Sequence, residues 1–194
     1  MAGWLLLFAL TALAALAALG VAVRAAPEGR AERFVAWTAV FFAVITAPVL
    51  ALGYLGALRP GALAGLSIVT SGAVLFGSAR GRDAREHARE IGRNAAALGR
   101  LPWDGLRLAV EARSFTTLGV AGAAIAILWS VVLTYMAPSE NWDGFFYHEP
   151  MVGFALQNHG FDIVSLPPTL VVQQANGFPR LCESVAIWFC IFTD

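Results

Sequence analysis

Residues 3–23 read GWLLLFALTALAALAALGVAV, a run with no charged side chain. A helix needs about 20 apolar residues to cross the hydrocarbon core of a bilayer, so this run is long enough to span. Three further runs follow at residues 34–58, 61–79 and 115–136. In lipid every backbone N–H and C=O must be satisfied internally, so such runs fold as helices rather than open strands. The 194-residue chain is 58% hydrophobic and 13% charged, where a soluble domain has roughly 45–50% and about 25%. So few charges cannot solvate the surface of an ordinary soluble enzyme. The hydrophobicity excludes a disordered chain, and a net charge of zero leaves no basic face for nucleic acid. The expected fold is all-α, a polytopic bundle of transmembrane helices.

A secretory leader is the competing reading of residues 3–23. A leader carries positive charge ahead of its apolar core, whereas here the first arginine is Arg24, behind it. Pro48 should kink the second run, and Gly56, Pro60 and Gly61 fit a tight turn between the second and third. All 13 basic residues are arginine, which we read as codon usage rather than chemistry. Cys182 and Cys190 have neither C-x-x-C nor zinc spacing and lie in an apolar stretch, so two buried free thiols are expected rather than a disulfide or a metal site.

Orientation follows from the arginines between the runs. The first loop holds Arg24, Arg30 and Arg33, and the second only Arg59. The third holds Arg80, Arg82, Arg85, Arg89, Arg93, Arg100, Arg107 and Arg113, and the region after Met136 only Arg180. Rich and poor loops alternate, as a weaving chain requires. The first and third loops are therefore assigned to the cytoplasm. The N-terminus, the short turn and everything after Met136 are assigned to the outside. The organisation reads as three membrane helices (1–79), an Arg-rich amphipathic cytoplasmic loop (80–114), a fourth membrane helix (115–136), an outer loop (137–180) and the start of a fifth helix (181–194).

In the third loop, Asp83, Glu86 and Glu90 stand three or four residues from arginines, the spacing of a solvated helix. His87 is expected to be solvated there. A second amphipathic piece starts at Leu101-Pro102-Trp103 and suits the cytoplasmic lipid surface. No internal repeat occurs, and no nucleotide-binding, serine-hydrolase or zinc-protease motif.

The chain changes character at Ala137. Trp142-Asp143-Gly144-Phe145-Phe146-Tyr147-His148-Glu149-Pro150 puts two acids and a histidine among aromatics just beyond a span. Aromatics belong at an interface. A carboxylate beside lipid is costly unless paired or wet, which makes it a functional suspect. Pro150 suits a first helical turn, and residues 151–158 continue a short surface helix. His159-Gly160 would end it, with Gly160 as the left-handed cap. Asn176-Gly177 signals a turn. Residues 181–192 then resemble the start of a fifth helix too short to span, as expected of the front part of a longer protein.

The stretch from Trp142 to Pro150, followed by Gly153-Phe154-Ala155-Leu156-Gln157-Asn158-His159-Gly160 and later Asn176-Gly177-Phe178-Pro179-Arg180, resembles the first extracytoplasmic loop of the GT-C superfamily. These are polytopic glycosyltransferases of the protein-mannosyltransferase and aminoarabinose-transferase type. The resemblance covers about residues 115–194. It implies a multi-pass protein of the bacterial inner membrane that transfers a sugar, with inversion, from a polyprenyl-phosphate carrier to an acceptor hydroxyl. Asp143 would be the catalytic carboxylate, with His148 and Glu149 as further candidates. A carboxylate can take or orient the acceptor proton. Arg180 would meet the leaving phosphate, and Trp142 and Tyr147 would stack on the sugar or sit on lipid. Three helices precede the matching span, a departure from the family. The family often has a second functional acid, for which Glu149 and Asp162 both stand open. So does pairing of Arg180 with Glu183. No organic cofactor is called for. A divalent cation on Asp143, His148, Glu149 and His159 stays open, although their spacing matches no metal motif. The competing reading is a non-catalytic membrane protein, an assembly subunit or transporter-like fragment. Transporters place charged groups inside their spans, and these spans offer nothing stronger than Thr38, Thr46, Ser67, Thr70 and Ser71. The residues leave the sugar, the acceptor and the oligomeric state open.

Overall fold

A computed structural model describes residues 2–25, 29–112, 115–136, 148–162 and 180–193. These form seven helices and, among the described residues, no strand. They are α1 (Ala2–Ala25), α2 (Arg30–Tyr54), α3 (Pro60–Ala79), α4 (Ala84–Ala112), α5 (Phe115–Met136), α6 (Glu149–Gln157) and α7 (Leu181–Cys190). Three stretches, Ala2–Ala25, Glu32–Tyr54 and Pro60–Ala79, are long and apolar enough to cross a membrane.

Small residues let α1 sit at the centre. Ala14, Ala17, Ala18 and Ala22 are all fully buried, and α1 packs on both α2 and α3. Without a hydrophobic force between helices in lipid, close backbone approach supplies the packing energy, and small side chains permit it. Trp37 of α2 donates its indole N–H to the Ala15 carbonyl of α1 at 3.0 Å. Pro48 lies inside α2 and is fully buried.

The bundle has two different ends. At one, Leu19 and Val23 of α1 pack with Trp37, Leu75 and Ile91, Ala95 and Leu98 of α4. The Arg24 guanidinium caps the end of α3, donating to the carbonyls of Ser78 at 3.2 Å and Arg80 at 2.9 Å. The Arg33 guanidinium meets Asn94 Oδ1, and Arg82 pairs with Glu90 at 3.1 Å. Both arginine-rich loops thus gather at this end. At the other, Leu7, Leu10, Val49, Leu52 and Leu63 pack with Ala155 of α6 and Ile187 and Trp188 of α7. The α2–α3 turn and the chain after α5 therefore share an end, as the alternation of arginines requires.

Several expectations are corrected. The third loop is one helix through residues 101–103, not two pieces. His87 is not solvated but 3% exposed, because it lies on the α4 face that carries Ile91 onto α1. Its Nε2 stands 3.0 Å from Ser78 Oγ. Cys182 and Cys190, expected to be buried, are exposed. The α7 face turned to the bundle is Glu183, Ser184, Ile187 and Trp188; Cys182 falls off that face, and Cys190 is the last residue of the helix. The second span ends at Tyr54 rather than residue 58. Gly56 takes φ +65°, and Ala57 N–H reaches back to the Leu52 carbonyl at 2.9 Å, the signature of a Schellman stop.

Candidate functional site

The described part of the outer-loop sequence forms α6, α7 and their flanks. His148 precedes α6, with Glu149 and Pro150 in its first turn. The helix ends in a second Schellman motif, with Gly160 N–H donating to the Ala155 carbonyl at 3.0 Å. The left-handed residue is His159, at φ +56°, not Gly160. Gly160 is needed for space. A Cβ there would stand 2.9 Å from Gly56 Cα and 3.0 Å from the Gly53 carbonyl oxygen. This close approach docks the end of α6 on the α2–α3 turn. Leu58 N–H donates to the His159 carbonyl at 2.7 Å, and Phe161 N–H to the Gly53 carbonyl at 2.8 Å. The Phe161 ring stands edge-on to Tyr54 at 5.4 Å. His159 thus acts through its backbone at a helix end.

Helix α7 is fixed by Trp188, fully buried, whose indole N–H donates to Thr11 Oγ1 of α1 at 3.1 Å. Arg180 caps its start. The Arg180 carbonyl accepts from the Ser184 amide at 3.0 Å and from the Ser184 hydroxyl at 2.5 Å. One turn in, Glu183 is 2% exposed. A carboxylate in a first turn is favoured by the helix dipole, but burial this deep demands a specific partner. That partner is His148. Its Nδ1 lies 2.9 Å from Glu183 Oε1, with the imidazole 46% exposed. Two atoms of this cluster, Arg180 Nη1 and Glu183 Oε2, are buried with no hydrogen-bond partner among the described residues. Arg180 is 8% exposed and makes no ion pair with Glu183 among the described residues.

Of the six residues singled out in sequence, His148 is thus paired with Glu183, and Arg180 is buried at the start of the same helix, three residues before it. Glu149 is exposed at the start of α6. Trp142, Asp143 and Tyr147 lie outside the described residues. Sequence reading weighed Glu183 only as a partner for Arg180. Its pairing with His148 crosses 35 residues, which no local spacing reveals. The one available signal was an acid opening an otherwise apolar run. No group of three metal-ligating side chains occurs among the described residues.

The Ser78–His87 pair imitates a nucleophile and its base but is wired the wrong way. Ser78 Oγ donates to the Leu75 carbonyl at 2.7 Å, so its proton is committed and His87 Nε2 must carry the proton between them. The hydroxyl is therefore an acceptor toward His87, and the pair is a structural latch between α3 and α4. A depression of about 580 Å³ beside Asp83, Glu86, Arg89, Gly92 and Arg93 is lined by α4 and the residue just before it. It is open to solvent and lined mainly by charged side chains, unlike an enclosed ligand pocket.

Comparisons with protein-family models, with curated proteins and with solved structures give no match.

Proposed function

We propose that the protein is a multi-pass glycosyltransferase of GT-C type, or the N-terminal part of one, in a bacterial inner membrane. It would transfer a sugar from a polyprenyl-phosphate carrier to an acceptor hydroxyl at the outer face. The observation that carries this reading is the pairing of His148 with buried Glu183, with buried Arg180 at the start of the same helix, at the end of the bundle away from the arginine-rich loops. A buried guanidinium N–H without a partner among the described residues matches the need of a phosphate leaving group for a fixed donor. An imidazole held by a carboxylate matches the need for a group that handles a proton. Asp143 precedes His148 by five residues and would enter the same site as the carboxylate that orients the acceptor hydroxyl. Trp142 and Tyr147 would stack on the sugar ring.

The test is Asp143→Asn in the full chain, reconstituted with a polyprenyl-phosphate sugar. Sugar transfer should fall by at least about 100-fold, the usual weight of an acid–base group, while membrane insertion is kept. Undiminished transfer removes Asp143 from the mechanism.

A second reading has an observation of its own. Helix α5 packs chiefly on α4, and Leu118, Ile125, Leu128, Trp129, Val131 and Leu133 around it are exposed. Such a helix suits lipid or further membrane helices, as in a non-catalytic assembly subunit. A chain that inserts and associates but transfers no sugar would favour that reading.

A further inference from the structure

We propose that Glu183 is a positioning residue that holds the His148 imidazole with its proton on Nδ1, so that Nε2 is the atom that takes the proton of the acceptor hydroxyl. The inference rests on the transferase reading above and deepens it. Glu183 Oε1 lies 2.9 Å from His148 Nδ1, and an ionised carboxylate only accepts. With Glu183 as the acceptor, Nδ1 carries the hydrogen. In the neutral ring the other nitrogen is then an acceptor, and whatever Nε2 meets, it meets as a lone pair.

The two residues differ in the way this division of labour demands. Glu183 is 2% exposed, on an α7 face pinned by Trp188 and Ser184. The His148 side chain is 46% exposed. A fixed buried carboxylate thus orients a ring that reaches the surface. In the step itself, the acceptor oxygen bonds to the anomeric carbon. The bond from that carbon to the phosphate oxygen breaks, and its electron pair leaves with the phosphate. The hydroxyl proton passes to His148 Nε2, and the Glu183 carboxylate balances the imidazolium until water removes the proton.

The chain has three histidines, so nitrogen NMR of the full protein, labelled with ¹⁵N-histidine in lipid nanodiscs and held in alkaline buffer, resolves each ring. His148 should show the Nδ1–H tautomer. His87 should show Nε2–H, fixed by Ser78, and serves as a reference for an intact bundle. In Glu183→Ala the His148 signal should move toward Nε2–H, the form a solvated imidazole prefers, with His87 unchanged. The turnover number for sugar transfer should fall about 100-fold with KM unaltered. Glu183→Gln can still present an oxygen to Nδ1–H and should keep most of both signatures. An Nε2–H tautomer in the wild type, or an imidazolium that persists in alkaline buffer, overturns the inference whatever the transfer assay gives. Loss of turnover with no change of tautomer overturns it as well. The Nδ1–H form in a wild-type chain that transfers no sugar sinks the transferase reading, and with it the proton-accepting role.

Discussion

Adjacent residues at the end of α6 should respond to substitution in opposite ways. His159 takes a left-handed backbone at φ +56°, which glycine adopts freely. Gly160 fills a gap in which a Cβ would stand 2.9 Å from Gly56 Cα and 3.0 Å from the Gly53 oxygen. Both obstacles are backbone, so neither can swing aside. Gly160→Ala must push the α6 stop away from the α2–α3 turn, stretching the bonds of 2.7 and 2.8 Å that join them. Each is worth about 0.5–1.5 kcal/mol net, so together they give roughly 1–3 kcal/mol, close to the usual cost of overpacking. At 1.4 kcal/mol per factor of ten, opening of this contact should become about 5- to 150-fold more frequent. Hydrogen exchange read on peptides over residues 52–63 and 148–162 measures it directly. His159→Gly should leave protection there unchanged or slightly raised. A silent Gly160→Ala beside a loosening His159→Gly would refute the reasoning, because that is the pattern expected if Gly160 were the left-handed residue.

Trp188→Ala removes the largest fully buried side chain among the described residues and the donor to Thr11. It should cost about 3–5 kcal/mol in detergent-solubilised unfolding, and a loss under about 1 kcal/mol would mean that α7 is not anchored on α1. For topology, cysteines placed at exposed Arg85 and Asn158, with Cys182 and Cys190 replaced by serine, should react with an impermeant maleimide from opposite sides of the membrane. Labelling from one side would break the proposed weave.

Much of the helical architecture is legible because its physics is local. An apolar run such as residues 3–23 carries its own instruction, since only a helix satisfies its backbone in lipid. Gly56 marks its turn for the same reason, because a left-handed stop there calls for no distant partner. The errors have a common cause, which is packing between elements. His87 stands among arginines in sequence, and solvent is the natural inference. Only the placement of α4 across the ends of α1 and α3 buries it. Glycine is the usual left-handed residue, so Gly160 outranks His159 until Gly56 is found pressed against it. Glu183 is the instructive omission. Its neighbours in sequence offered Arg180 as partner, whereas the fold offers His148.

The pairing of Glu183 with His148 bears on what this end of the bundle is for. Burying a carboxylate costs several kcal/mol even after relaxation, and an apolar side chain at such a place is often as stable or more so. Helix α7 already has Ile187 and Trp188 to dock it, so Glu183 is not required for adhesion. The arginine-rich end shows the opposite economy: its ion pairs, such as Arg107 with Glu111, are exposed, and His87 is spent on a latch. Glu183 Oε2 and Arg180 Nη1 have no partners among the described residues, nor do Ser67 Oγ and His87 Nδ1 elsewhere in the bundle, but only the first two belong to an acid and a guanidinium, for which unpaired burial is most costly. A buried acid held to a surface-reaching imidazole, one turn from a guanidinium whose Nη1 has no partner among the described residues, is what supports the proposed reaction at this face.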